Sequence, residues 1–232
     1  MQQENRIFMI RRFEPSRALE VIHPKYGSGY RIGGRLVLTV SHILDEVNSV
    51  CRVRAKRSFG EVEATVRWKS LRADIALIQL PERIQPFESA AFGLLPKVEV
   101  GEKLSFQMYG YPKWGRTRRE DGVAAGGRQV EGIIYLADTS PDELLVLEAL
   151  RRPEGSLDSG SDWEGNSGAA IVCDGLIVAV LRQHQNPERS ASLEAVPLCD
   201  VYNDDEWNRL LREQDINLQP QLLRIQNKTT GA

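Results

Sequence analysis

Three segments of the chain carry residue types that together could activate a hydroxyl group. Leu38-Thr39-Val40-Ser41-His42 supplies a histidine, Arg72-Ala73-Asp74-Ile75 an aspartate, and Gly165-Asn166-Ser167-Gly168-Ala169 a serine set among glycines. A serine hydroxyl is a poor nucleophile near neutral pH and needs a base within hydrogen-bond reach to take its proton. Histidine suits that role, because its charge changes near neutrality. A carboxylate on the far ring nitrogen holds the correct tautomer and stabilises the imidazolium that forms. Ser167 therefore reads as nucleophile, His42 as general base and Asp74 as the residue that orients the ring. The tetrahedral intermediate of acyl transfer also needs backbone N–H donors aimed at its oxyanion. Glycine beside the serine lets the backbone turn toward it, so the N–H groups of Gly165 and Ser167 form the candidate oxyanion hole. Taken singly, each residue has a plainer reading: a buried histidine, a strand-edge carboxylate, a turn. The joint pattern carries the inference.

Strands must position these residues. In 50–56, Cys51, Val53 and Ala55 alternate with Arg52, Arg54 and Lys56; Val62, Ala64, Val66 and Trp68 alternate with polar residues over 62–68; Leu104, Phe106 and Met108 do so over 104–109. This period of two predicts half-buried antiparallel strands. Apolar runs at 35–40, 75–80, 133–136, 144–149, 169–173 and 176–181 predict more fully buried ones. A helix is expected near the end, with Asn203 as N-cap, Glu206 as its capping-box partner, and Trp207, Leu210 and Leu211 sharing one face. Residues 81–97 read as a linker between two β halves, and 112–128 and 151–164 as long irregular loops of functional interest. Beyond Asp215 the tail reads as polar and frayed. No internal repeat is visible.

Composition bounds the partners. With 232 residues the chain can form one large domain or two small ones sharing an interface. A net charge of −2 weighs against nucleic acid or an anionic membrane surface as partner. No run of about 18 apolar residues exists to span a bilayer, and the first residues lack the apolar core of a secretory leader. Cys51, Cys173 and Cys199 could form one bridge at most, which points to a reducing, cytoplasmic setting. Asn227-Lys228-Thr229 fits a glycosylation acceptor but reads as chance in a polar tail. No metal-ligand cluster is apparent, and no cofactor is expected.

The order His, Asp, Ser differs from the Asp, His, Ser of subtilisin-like enzymes and the Ser, acid, His of α/β-hydrolases. The blocks GSGYRIGGRLVLTVSHIL, ADIALIQL and GNSGAAIV resemble the signature segments of trypsin-like (chymotrypsin-type) serine proteases, over roughly residues 27 to 213. The resemblance implies an all-β fold: two six-stranded antiparallel β-barrels with a C-terminal α-helix and the site in the cleft between them. Residues 1–90 would form the half carrying His42 and Asp74, 91–202 the half carrying Ser167, and 203–232 the helix and tail. It implies a serine endopeptidase acting on protein or peptide substrates. By the same resemblance Ser161 would sit at the base of the primary specificity pocket, Asp162 beside it and Glu194 on the opposite wall. Two acids there favour a basic residue before the scissile bond, with a medium apolar residue as the alternative.

The chain departs from the secreted members. They carry aspartate before the nucleophile, which pairs with an ammonium freed by zymogen cleavage; here Asn166 has no charge to pair. Arg6-Ile7 resembles such a cleavage site only superficially. GNSG resembles instead the HtrA-like and viral members. Ile43 and Trp163 stand where the family's usual cysteines would lie. Control is then expected from the two long loops or from a regulatory protein partner. Two other readings stay open: a catalytically silent binding module of the same fold, and an esterase.

Overall fold

The computed structural model describes residues 13–22, 25–55, 58–96, 102–112, 116–119, 122–139, 144–151, 163–184 and 192–224. Ser161, Asp162, most of 151–164, Arg6-Ile7 and the Asn227 acceptor lie outside the described residues.

Six strands build the first barrel: β1 Ala18–Val21, β2 Gly27–Gly33, β3 Leu36–Val40, β4 Val50–Ala55, β5 Gly60–Ser70 and β6 Ile75–Gln79. They close in the order β1-β2-β3-β6-β5-β4, with antiparallel β4 against β1 sealing the ring. The short strand β7, Gly93–Leu94, follows. Then come β8 Lys103–Gly110, β9 Arg116–Arg119, β10 Gly122–Ala125, β11 Arg128–Thr139, β12 Leu145–Ala149, β13 Ala170–Cys173, β14 Leu176–His184 and β15 Ser192–Pro197. Of these, β8 and β11 to β15 close a second barrel, ordered β11-β12-β15-β14-β13-β8. Counting each barrel's strands one to six in chain order, both rings run 1-2-3-6-5-4. The repeat is one of topology, which leaves no sequence period to see.

The alternation read from the sequence is what the barrels bury. Cys51, Val53 and Ala55 point inward from β4, Val62, Ala64, Val66 and Trp68 from β5, and Leu104, Phe106 and Met108 from β8. Closing each sheet on itself removes its edges and turns one face of every strand into core.

Five expectations need correction. Helix α1, Asp205–Glu213, is capped by Asp204, whose carboxylate accepts from Trp207 N at 2.8 Å, not by Asn203. Glu206 is no capping-box partner; it binds Arg209 on the helix surface. Segment 112–128 is not wholly irregular, since β9 and β10 pair as an antiparallel ribbon. Segment 81–97 is more than a linker: β7 pairs with β16, Gln221–Leu222, in parallel. That pairing also anchors the tail, where Ile216 and Leu223 are buried. Buried Trp207, Leu210 and Leu211 seat α1 against the first barrel, with Trp207 edge-on to Trp68 at 5.3 Å between centroids. Among the described residues no helix is long and apolar enough to cross a membrane.

Candidate active site

His42 and Asp74 meet because of strand register. Val40 at the end of β3 lies opposite Ile75 at the start of β6, so the residues just beyond, 41–42 and 74, leave the barrel together. A single 3-10 turn, Ser41–Ile43, carries His42. Asp74 takes a left-handed conformation (φ 50°), which aspartate tolerates better than most side chains. Its Oδ2 lies 2.7 Å from His42 Nδ1. Its Oδ1 accepts from the His42 backbone N–H at 2.9 Å and from the Ser41 hydroxyl at 3.1 Å. Burial alone would push the Asp74 carboxyl up. The hydrogen bonds and charge of His42, with the Ser41 hydroxyl, outweigh it, and the carboxyl sits below its ordinary value. Asp74 is therefore an ionised acceptor. The His42 side chain is 40% exposed, open to an incoming group, whereas that of Asp74 is 12% exposed.

Ser167 sits on the turn that leads into β13. Asn166 N donates to Trp163 O at 3.0 Å, Ala169 N to Asn166 O at 2.9 Å and Gly168 N to Leu181 O at 2.8 Å. The N–H groups of Gly165 and Ser167 have no acceptor within the protein among the described residues. These are the two donors an oxyanion hole would use. Gly165 (φ 94°) requires glycine on two counts, since a Cβ there would also lie 2.5 Å from Tyr111 O.

The turn is docked on the first barrel by a residue that sequence reasoning passed over. Ser28, fully buried on β2, donates its N–H to Ser167 O at 2.7 Å and its hydroxyl to Gly165 O at 2.7 Å; the same hydroxyl accepts from Tyr111 N at 2.9 Å. Beside it, a Cβ on Gly27 would stand 2.9 Å from Ser167 O and 3.5 Å from Cγ1 of Ile43, the neighbour of His42. The Ser167 turn and the His42 turn thus converge on Gly27-Ser28. Among the described residues no hydrogen bond joins the Ser167 hydroxyl to the His42 ring; in this chemistry such bonds often tighten only with substrate bound. Ser28→Ala is expected to cost about 1–3 kcal/mol in urea unfolding, because a buried carbonyl and a buried N–H each lose a partner.

Asn166, the neutral residue before Ser167, is fully buried, and its amide atoms find no partner among the described residues. Glu194 is buried on β15, across from Val146 and Gln183, so it belongs to the wall of the second barrel. Its relation to Ser161 and Asp162 lies outside the described residues. A second residue missed from sequence is Arg182 on β14, whose Nε lies 3.4 Å from Asp74 Oδ2. Among the described residues no group of three His, Cys, Asp or Glu side chains could hold a metal.

No family model matches the sequence, and no curated protein does. Solved structures do match. A serine endoprotease from Yersinia pestis superposes with a TM-score of 0.58 at 16% identity, covering 86% of this chain and 64% of that one. This chain thus spans less than two thirds of that protein's length. The human pathogenic astrovirus serine protease gives a TM-score of 0.52 at 16% identity, covering 81% and 92%. The active form of the Rv3671c protease from M. tuberculosis gives 0.55 at 16% identity, covering 88% and 81%. The fold is the trypsin-like one: two six-stranded antiparallel β-barrels with one C-terminal helix.

Proposed function

We propose that the protein is a serine endopeptidase that hydrolyses peptide bonds through an acyl-enzyme on Ser167. The observation that carries this reading is the Asp74 carboxylate, ionised and 2.7 Å from His42 Nδ1, with the turns that carry His42 and Ser167 both packed against Gly27. With Nδ1–H held by Asp74, His42 Nε2 carries a lone pair. It takes the Ser167 Oγ proton as the Oγ–C bond to the scissile carbonyl forms, and the carbonyl oxygen becomes an oxyanion facing the Gly165 and Ser167 N–H groups. His42 then gives that proton to the leaving amine as the C–N bond breaks. Water repeats the sequence on the acyl ester: His42 takes its proton, the acid product leaves, and Ser167 regains its hydrogen.

The preferred residue before the scissile bond is basic, with Ser161, Asp162 and Glu194 as the proposed pocket. Control is assigned to segments 112–128 and 151–164 or to a protein partner. Tyr111, next to the first segment, touches both Ser28 and the space over Gly165, so a change there would reach the oxyanion donors. Three free thiols fit a cytoplasmic setting.

The test is a peptide library digested by wild type and by Ser167→Ala, with products sequenced by mass spectrometry. Cleavage after Lys or Arg by wild type alone is expected. Cleavage after medium apolar residues would overturn the specificity. Ester turnover without peptide cleavage would point to an esterase, and no turnover of either kind to a binding module.

A further inference from the structure

β14 carries one residue more than its neighbour can pair. Leu181 lies opposite Ala195 and Gln183 opposite Glu194, with the register shifting between them, so Arg182 is the extra residue of a β-bulge. Bulges next to active sites re-aim a side chain. This one sends the Arg182 guanidinium across the cleft to Asp74 Oδ2 on the other barrel, at 3.4 Å. That oxygen is the one His42 Nδ1 binds at 2.7 Å. The two nitrogens therefore lie within about 6 Å of each other, close enough for one charge to shift the other's protonation.

We propose that Arg182 is a positioning residue that acts as a fixed electrostatic brake on His42. The inference rests on the serine-nucleophile reading above. Catalysis requires His42 to become an imidazolium, and Asp74 is the group that stabilises that cation. Arginine stays protonated throughout the working pH range. It neutralises part of the carboxylate's charge and repels the imidazolium as it forms. His42 consequently accepts the Ser167 proton less readily than a histidine with sole use of its carboxylate. Among the described residues, the other polar groups around Asp74 are Ser41 and His42 from the turn after β3, and Arg72 and Asp200, which line the same cleft of about 520 Å³ as Arg182. Of the two arginines there, the ion pair to the carboxylate is made by Arg182.

The experiment follows the fluorophosphonate labelling rate against pH in wild type, Arg182→Gln and Arg182→Lys, with circular dichroism to show that each is folded. Arg182→Gln is expected to move the acid limb of the profile up by about one pH unit and to raise the plateau rate several-fold. Arg182→Lys, which keeps the charge, is expected to follow wild type. An unmoved limb in Arg182→Gln, or a lower plateau, would overturn the brake and leave Arg182 as a structural tie between barrels. The His42 ring resonance, titrated by NMR in wild type and Arg182→Gln, should move in the same direction as the limb. That readout decides the matter even where no labelling occurs, an outcome that would count against the nucleophile itself.

Discussion

Asp74→Asn should slow acylation of Ser167 by about 10³–10⁴-fold while leaving the protein folded. Asparagine is nearly isosteric, and its amide oxygen can still accept from the His42 N–H and the Ser41 hydroxyl, the bonds that Oδ1 makes now. The loss falls on the other atom. An NH₂ group facing His42 Nδ1 donates where the carboxylate accepted, so the ring turns to the tautomer protonated on Nε2. That nitrogen can no longer take the Ser167 proton. The same NH₂ would also meet the Arg182 Nε donor, removing that acceptor from the guanidinium. Labelling kinetics read the first effect. Acid unfolding reads a second. The folded carboxyl lies below its ordinary value, so its contribution to stability is present above the unfolded value of about 3.9 and is lost as pH falls through the lower folded value. In Asp74→Asn that portion of the acid destabilisation, below about pH 4, should disappear.

Gly168→Ala should cost about 3 kcal/mol or more of stability, with labelling falling in parallel. Gly168 has φ 93°, a region L side chains rarely adopt. A Cβ there would be driven into Ser28 O, a backbone atom of the other barrel, and into the Thr39 hydroxyl that donates to it. Neither neighbour can move freely, since Ser28 and Thr39 are both fully buried. The substitution would therefore lift the Ser167 turn off β2 and stretch the Ser28 bonds to Ser167 and Gly165. Urea denaturation with a labelling assay on the same preparation checks both. A variant as stable and as reactive as wild type would show that the turn does not depend on this close approach.

The pairing of His42 with Asp74 was legible because the proposed chemistry demands particular residue types in particular neighbourhoods. A histidine closing a buried strand, an aspartate opening another and a serine between glycines leave a local mark. Half-buried strands were legible for a similar reason, since β4, β5 and β8 face core on one side only. β1 was not: all four of its residues are buried, and a short, uniformly buried strand has no alternation to show. Ser28 was hidden because its meaning lies in a bond to Gly165, 137 residues away. Arg182 was hidden because a bulge sets its direction, and the bulge depends on pairing with β15. Asn203 and Asp204 are both capping residues by type; the extended backbone at Asp204 and its bond to Trp207 N decided between them.

The most direct measurement of the central claim is the site of covalent attack. The folded wild-type protein is treated with a fluorophosphonate, digested, and its adduct located by peptide mass spectrometry, with Ser167→Ala alongside. The account predicts a single adduct on Ser167, absent from the alanine variant. An adduct on another residue, one that persists in Ser167→Ala, or no adduct on folded wild type at any pH would contradict it.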